Sequence, residues 1–229
     1  AKLILFSKLL KTKQNIISDN QIKEFKKLKE ISKKRNLKLF SIGLNNSNIE
    51  INSLIAKNNS QVISFRYNKT KHTIKVPLIG LFQIKNLFMS LIAAKLSGLS
   101  LKKMLKNIKK IKGVDGRLEL VKILPNQTKI FIDYAHTPAA LETSLTTLKN
   151  HYRVKPDVVF GCGGERDKKK RPMMARISEK YAEEIYITDD NPRNESPKLI
   201  RKMIISGFKK KKKFHNIASR TKAIKTAIA

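Results

Sequence analysis

Cysteine occurs once in this chain, at Cys162, so no intramolecular disulfide can form. No His or Cys neighbours stand at ligand spacing beside it, which excludes a zinc site. Long apolar runs are also missing: none approaches the about 18 consecutive residues that a membrane-crossing helix needs. The N-terminal AKLILFSKLL has neither the long apolar core nor the small-residue cleavage site of a secretory signal. A cytoplasmic chain with no membrane partner is expected. Acidic residues are scarce, 17 Asp and Glu against 50 Lys and Arg, for a formal net charge of +33. That excess implies salt-sensitive, nonspecific attraction to anions. No specific nucleic-acid partner is expected, because the lysines are spread among Ile and Asn, the mixture an AT-rich genome over-uses, and form no recognisable binding motif. The densest run, Lys209–Lys213, reads as a solvated loop after a helix. An initiator Met is missing too, and the final SRTKAIKTAIA reads as an amphipathic helix without a terminating Gly or Pro. Both ends are therefore expected to be internal to a longer chain.

What is present supports folded cores: 41% of the 229 residues are hydrophobic, enough for one large domain or two modest ones. The first half mixes helices with short strands: KLILFS, NIISD, LKLFSIGL, and a hairpin of QVISFRY and HTIKVPL around the polar turn NKTK. A helix is expected over Leu87–Leu96, closed by Gly98, and another from Ser100, whose hydroxyl can cap it. GVDGR, residues 113–117, marks the domain boundary. The second half alternates strand and helix. KIFIDY leads to a helix from Thr137 and Pro138 to about Asn150, and DVVFGCGG leads to helical spacing over Pro172–Glu184. EIYITDDNPR leads to a helix opened by Ser196 and Pro197, and FHNIA leads to the final helix. Such alternation predicts an α/β unit with a mostly parallel sheet.

Ligands of parallel sheets bind beyond the C-terminal strand ends, which selects three loops: DYAHTP, GCGGERD and DDNPR. Asp133 can accept hydrogen bonds from sugar hydroxyls, and the helix start beside His136 favours anions; a loop-organising carboxylate and an ordinary turn histidine are the plainer alternatives. Glycines 161, 163 and 164 let backbone N–H groups approach an anion, although an ordinary turn would use them as well. Arg166 sits at the strand mouth. In DDNPR the guanidinium of Arg193 can grip a carboxylate with two parallel hydrogen bonds, and Asn191 can both donate and accept, a set suited to a zwitterionic amino acid. A surface loop with an Arg–Asp pair is the competing reading.

The combination is more specific than any part. VDGRLELV, FIDYAHTPAALETSL, VVFGCGGERDKKKRPMMARISE and ITDDNPRNESPKLI stand in the order and spacing of the Mur ligases of the MurE type, which the chain resembles. Upstream, VPLIGLFQIKNLFMSLIAA is similar to the GxFNxxN stretch of that family's central ATPase domain, as AKLILFS is to an earlier part. The resemblance implies the rear of that domain over 1–115 and a Rossmann-like C-terminal domain over 116–229. It implies an acid–amino-acid ligase that uses ATP and Mg2+ in peptidoglycan precursor synthesis. ATP would phosphorylate the terminal carboxylate of UDP-N-acetylmuramoyl-L-alanyl-D-glutamate, and the amine of meso-diaminopimelate would attack the acyl phosphate. By motif, Asn86, Arg117, Asp133 and His136 would contact ATP, and Arg166, Asp190, Asn191 and Arg193 the diamino acid. No catalytic residue and no protein ligand of a metal are implied within this chain. A buried Arg193 left without the far carboxylate of diaminopimelate would reject lysine.

The sequence departs from the family pattern at Gln83, where Asn is usual, at Glu165, where Asp is usual, and at Lys169, where Gly is common. It contains no GTxGKT-like phosphate loop and no GKGHE segment, so this chain by itself is not expected to catalyse. The rival readings are a Mur-type ligase for another amino acid, a folylpolyglutamate synthase, and a basic nucleic-acid-binding protein.

Overall fold

A computed structural model of the chain describes residues 2–9, 11, 13–209 and 214–229. The expected solvated run Lys209–Lys213 thus lies, beyond the exposed Lys209, outside the described residues. The chain forms two compact units, one up to Lys112 and one from Gly113 onward. No helix among the described residues is long and apolar enough to cross a membrane.

The first unit is built on a five-stranded sheet in the order β1 (Asn15–Asp19), β2 (Lys38–Gly43), β3 (Ile49–Lys57), β4 (Ser60–Tyr67), β5 (Thr70–Val76). The first three strands are parallel, and β3 to β5 pair antiparallel. The β4–β5 hairpin turns through Asn68 and Lys69, both at positive φ (47° and 65°), the geometry that matches strand twist in a two-residue loop. Ile42, Ile51, Ile63 and Phe65 from the sheet bury against Ile84 and Phe88 of helix α2 (Leu81–Leu96), with the two phenylalanine rings 4.6 Å apart.

Three expectations for this unit change. The strand expected at KLILFS is helical, a turn over Lys2–Ile4 continued through Leu5–Leu9. That winding brings Leu3 and Phe6, three residues apart, onto one face against Ile16, Leu28 and Leu37. The guanidinium of Arg35 holds it by donating to the Ser7 carbonyl. The helix expected from Leu87 begins at Leu81, because Gly80, at φ 97°, opens it and Ile84 is already part of the core. Helix α1 (Phe25–Lys34) and strand β3 had no counterpart among the named expectations. Helix α3 (Leu101–Asn107) starts as expected, with the Ser100 hydroxyl accepting from the Lys103 N–H.

The second unit has an antiparallel pair, β6 (Glu119–Ile123) with β7 (Lys129–Ile132), and a parallel sheet in the order β10 (His215–Asn216), β9 (Ile185–Ile187), β8 (Val158–Phe160). KIFIDY is a strand as expected, but its ladder is to β6 across a tight turn at Gln127 rather than to the parallel strands. Helix α4 (Pro138–Tyr152) has Thr137 accepting from the Ala140 N–H at 3.3 Å and Pro138 in its first turn. Helix α5 spans Lys170–Tyr181, shifted toward the N-terminus of the expected range, and α6 spans Pro197–Ile205. Ser196 occupies the cap position of α6 without a side-chain cap bond. Helix α7 (Arg220–Ile228) is capped by Ser219. Leu141 and Leu145 of α4, Met174 and Ala175 of α5, and Ile200 and Ile204 of α6 join Phe160, Ile185 and Ile187 in one core.

Candidate functional site

The strands β8 and β9 lie side by side, so the segments leaving their C-terminal ends, GCGGERD and DDNPRNE, start as neighbours. Small residues let them stay so. A Cβ added at Gly161 would stand 2.4 Å from the Thr188 carbonyl oxygen, and one at Gly164 would stand 1.7 Å from that of Pro192. Into the space so released, the Gly164 N–H donates to the Asn191 carbonyl at 2.9 Å. Arg193 returns the link, its Nη1 donating to the Gly164 carbonyl at 2.6 Å. Glu165, the longer acid where Asp is usual, uses its reach to accept from Asn194 Nδ2 at 2.6 Å. Lys169 has ordinary helical dihedrals and donates its N–H to Asp167 at 2.9 Å, so the loss of a glycine there costs no strain.

Beneath both loops lies a group that the sequence reading assigned no role. Arg171, on the first turn of α5, is 0% exposed. Its two terminal nitrogens meet the two oxygens of Glu195 at 2.9 Å each, a bidentate pair. Its Nη2 also donates to the Gly163 carbonyl at 3.2 Å. Glu195 accepts the Glu165 N–H at 2.5 Å. The Arg171 guanidinium, then the Glu165 N–H, hold the Glu195 carboxyl well below its ordinary range, at about 2. Cys162, within the same glycine-rich loop, points into the core with its sulfur 3.8 Å from that of Met174, and burial pushes its thiol up to about 11. It is a packing residue, not a nucleophile.

Of the residues expected to contact an amino acid, Arg166 and Asn191 are exposed on these joined loops. Asn191 turns its side-chain oxygen to the Arg193 N–H at 3.2 Å. Asp190, also exposed, accepts the Asn191 N–H at 2.9 Å and faces Arg220 at 3.4 Å. Arg193 is exposed, which corrects the expectation of a buried guanidinium. Arg193 has φ of 50° just after Pro192, and its Nη1 returns to the neighbouring loop at the Gly164 carbonyl.

The residues expected at the nucleotide form a second group in this unit. Asp133 accepts from the Ser144 hydroxyl at 2.8 Å, which ties the end of β7 to helix α4. The guanidinium of Arg117 lies 4.8 Å from the centre of the Tyr134 ring, and His136 packs edge-on against that ring at 5.1 Å. Lys170 Nζ donates to the His136 carbonyl at 2.9 Å and so ties DYAHTP to the start of α5. A cation, an aromatic face and an anchored carboxylate in succession fit a nucleotide's phosphates, base or ribose. Asn86 belongs to the first unit, where it is exposed on α2. Beside it, the buried Gln83 donates to the Ile79 carbonyl at 3.4 Å, so its longer side chain is used within the helix turn. Among the described residues no three carboxylate, imidazole or thiol groups gather as a metal site, so these residues do not fit a metal centre of their own.

The second unit is a Rossmann-like α/β unit with a parallel sheet and charged loops tied together beyond its strand ends, where such folds hold ligands. Sequence comparison places it more narrowly. Residues 1–94 match the Mur ligase middle domain and residues 116–229 match the Mur ligase glutamate ligase domain; the chain belongs to the Mur ligase family. It is 40% identical over 230 residues to a UDP-N-acetylmuramoyl-L-alanyl-D-glutamate–2,6-diaminopimelate ligase of Rickettsia montanensis, a match that covers 100% of the chain and 47% of the relative. The chain thus spans about half the length of the curated relatives it matches. A solved structure of a ligase with the same name is 28% identical, with a TM-score of 0.62, over 93% of the chain and 44% of that protein. A folylpolyglutamate synthase of Mycobacterium tuberculosis, complexed with ADP, superposes with a TM-score of 0.74 at 18% identity, over 93% of the chain and 47% of that protein; it shares the fold.

Proposed function

We propose that this chain is part of a cytoplasmic ligase that uses ATP and Mg2+ to join meso-diaminopimelate to UDP-N-acetylmuramoyl-L-alanyl-D-glutamate, a step of peptidoglycan precursor synthesis. The observation that carries the reading is the tying together of the GCGGERD and DDNPR loops at Gly164, which holds the chain segments that carry Arg166, Asn191 and Arg193 side by side. Two guanidinium groups and an amide suit an amino acid with two carboxylates, and the relatives' name specifies the same amino acid.

In this reading the γ-phosphoryl group of ATP passes to the terminal carboxylate of the D-glutamyl residue. The amine of the diamino acid then adds to the acyl carbon, and phosphate leaves as the amide forms. The chain's own residues orient and neutralise rather than react. Arg117, Asp133 and His136 hold nucleotide, with Asn86 offered from its motif. Arg166, Asp190, Asn191 and Arg193 hold the diamino acid. The test is ligation by the full-length enzyme supplied with ATP, the UDP-linked dipeptide and either meso-diaminopimelate, lysine or glutamate. Product with diaminopimelate alone supports the reading, and equal or preferential use of another amino acid overturns it.

A further inference from the structure

We infer that Arg171 is a positioning residue for the amino-acid site, clamping the loop after β8 to the loop after β9 through Glu195 and thereby setting the separation of Arg166 from Asn191 and Arg193. The inference rests on the amino-acid assignment just proposed. Its geometry stands on three contacts made by one planar group. Arg171 reaches the first loop at the Gly163 carbonyl, the second at both oxygens of Glu195, and helix α6 at the sulfur of Met203, 3.1 Å away. Glu195 then returns to the first loop at the Glu165 N–H, one residue before Arg166. The clamp therefore closes a ring: α5 to the second loop, the second loop to the first, and the first back to α5.

A fully buried cation on a helix start is expensive unless its partners are complete and well aligned. The two terminal nitrogens meet most of that need, at Glu195 and at the Gly163 carbonyl, while the buried Nε has no hydrogen-bond partner; a flexible ammonium would lose the paired bond, since Lys offers no planar pair of donors to the two Glu195 oxygens. Helix α5 is rigid against the core through Met174 and Ala175, so whatever Arg171 grips is referenced to the sheet. The exposed Arg166 and Arg193 are not packed into that core, and Arg193 is tied only within the loop pair, at the Gly164 carbonyl and at Asn191. Their spacing is inherited from the buried pair below them.

The test is Arg171→Lys in the full-length ligase, with Glu195→Gln as a second variant that keeps the size and one acceptor should the first fail to fold. Hydrogen exchange is read at the amides of residues 163–166 and 191–195, together with KM for ATP and for the amino acid. The expected result is faster exchange confined to the two loops, an amino-acid KM raised about ten-fold or more, and ATP KM and kcat changed by less than about three-fold. Unchanged loop exchange with an unchanged amino-acid KM overturns the clamp, as does an equal rise in both KM values, which marks general loosening. If the wild type prefers another amino acid, the substrate assignment fails, while loop exchange still decides whether Arg171 is the clamp.

Discussion

Gly164 and Pro192 pack backbone against backbone, so closely that a Cβ on the glycine would stand 1.7 Å from the proline carbonyl oxygen. No side-chain rotation relieves such a contact, because both parties are main chain. Two loops that are far apart in sequence thereby behave as one surface, further joined by the Gly164 N–H to the Asn191 carbonyl at 2.9 Å. Gly164→Ala is expected to force them apart, at a cost of about 1–3 kcal/mol in stability, the scale of overpacking a tight interior. Gly163→Ala is the milder comparison: its Cβ would stand 3.1 Å from Nη1 at the end of the Arg193 side chain and 3.5 Å, an ordinary contact, from the Asn191 carbonyl oxygen, and a smaller loss is expected. Urea denaturation of the two variants compares them, and equal losses contradict the account.

Acid should open the same region. Glu195 is held at about 2 in the folded chain, below its ordinary 4.5. A carboxyl whose folded value is lowered contributes stability above the unfolded value and loses it as pH falls through the folded one, so its contribution fades between about 4.5 and 2. Melting temperature measured across that range should fall less steeply in Glu195→Gln than in the wild type. Parallel curves would mean that the group gains nothing from Arg171.

Much of the second unit was legible because its signals are local. Thr137 before Pro138 marks a helix start wherever the chain goes next, and three loops at strand ends follow from strand and helix alternation. Arg171 was not legible for the opposite reason. In KKKRPMM it reads as one more basic residue of a solvated helix face, and its main partner, Glu195, stands 24 residues further on. Arg193 misled in the other direction: the chemistry of DNPR suggested a buried charge, but the residue is exposed, at a positive φ that a non-glycine residue does not announce. At the N-terminus, the apolar run of KLILFS suits a strand or a buried helix face alike, and packing of Leu3 and Phe6 on Leu28 decided for the helix.

The β4–β5 turn offers a stabilising change. Lys69 holds φ at 65° with a β-carbon that resists that region, while Asn68 before it is well suited to its 47°. Lys69→Gly would create the Asn-Gly pair that two-residue hairpin turns favour, and a gain of about 0.5–1 kcal/mol is expected once the glycine's own entropy is deducted. A thermal melt that shows no gain, or a loss, would argue that the Lys69 side chain contributes more than its backbone costs.

If Arg193 binds the second carboxylate as proposed, it discriminates between substrates by a gain rather than a penalty. Because it is exposed, its charge stays hydrated without a ligand, and lysine in the site would leave no buried unpaired guanidinium behind. What lysine forfeits is the charged hydrogen bonding that a second carboxylate would add to the one Arg193 already makes with Gly164. Removing that contribution with Arg193→Ala is expected to raise KM for diaminopimelate in the full-length enzyme by roughly ten- to hundred-fold, corresponding to a charged hydrogen bond of about 1.5–3 kcal/mol. KM for lysine should barely move, so the preference between the two amino acids narrows from one side only. Arg193→Lys should fall between, since an ammonium can keep the charge but cannot serve the Gly164 carbonyl and a carboxylate with one planar fork. If the alanine variant left the diaminopimelate KM untouched, or raised both amino acids equally, Arg193 would be a loop tie and not a reader of the second carboxylate.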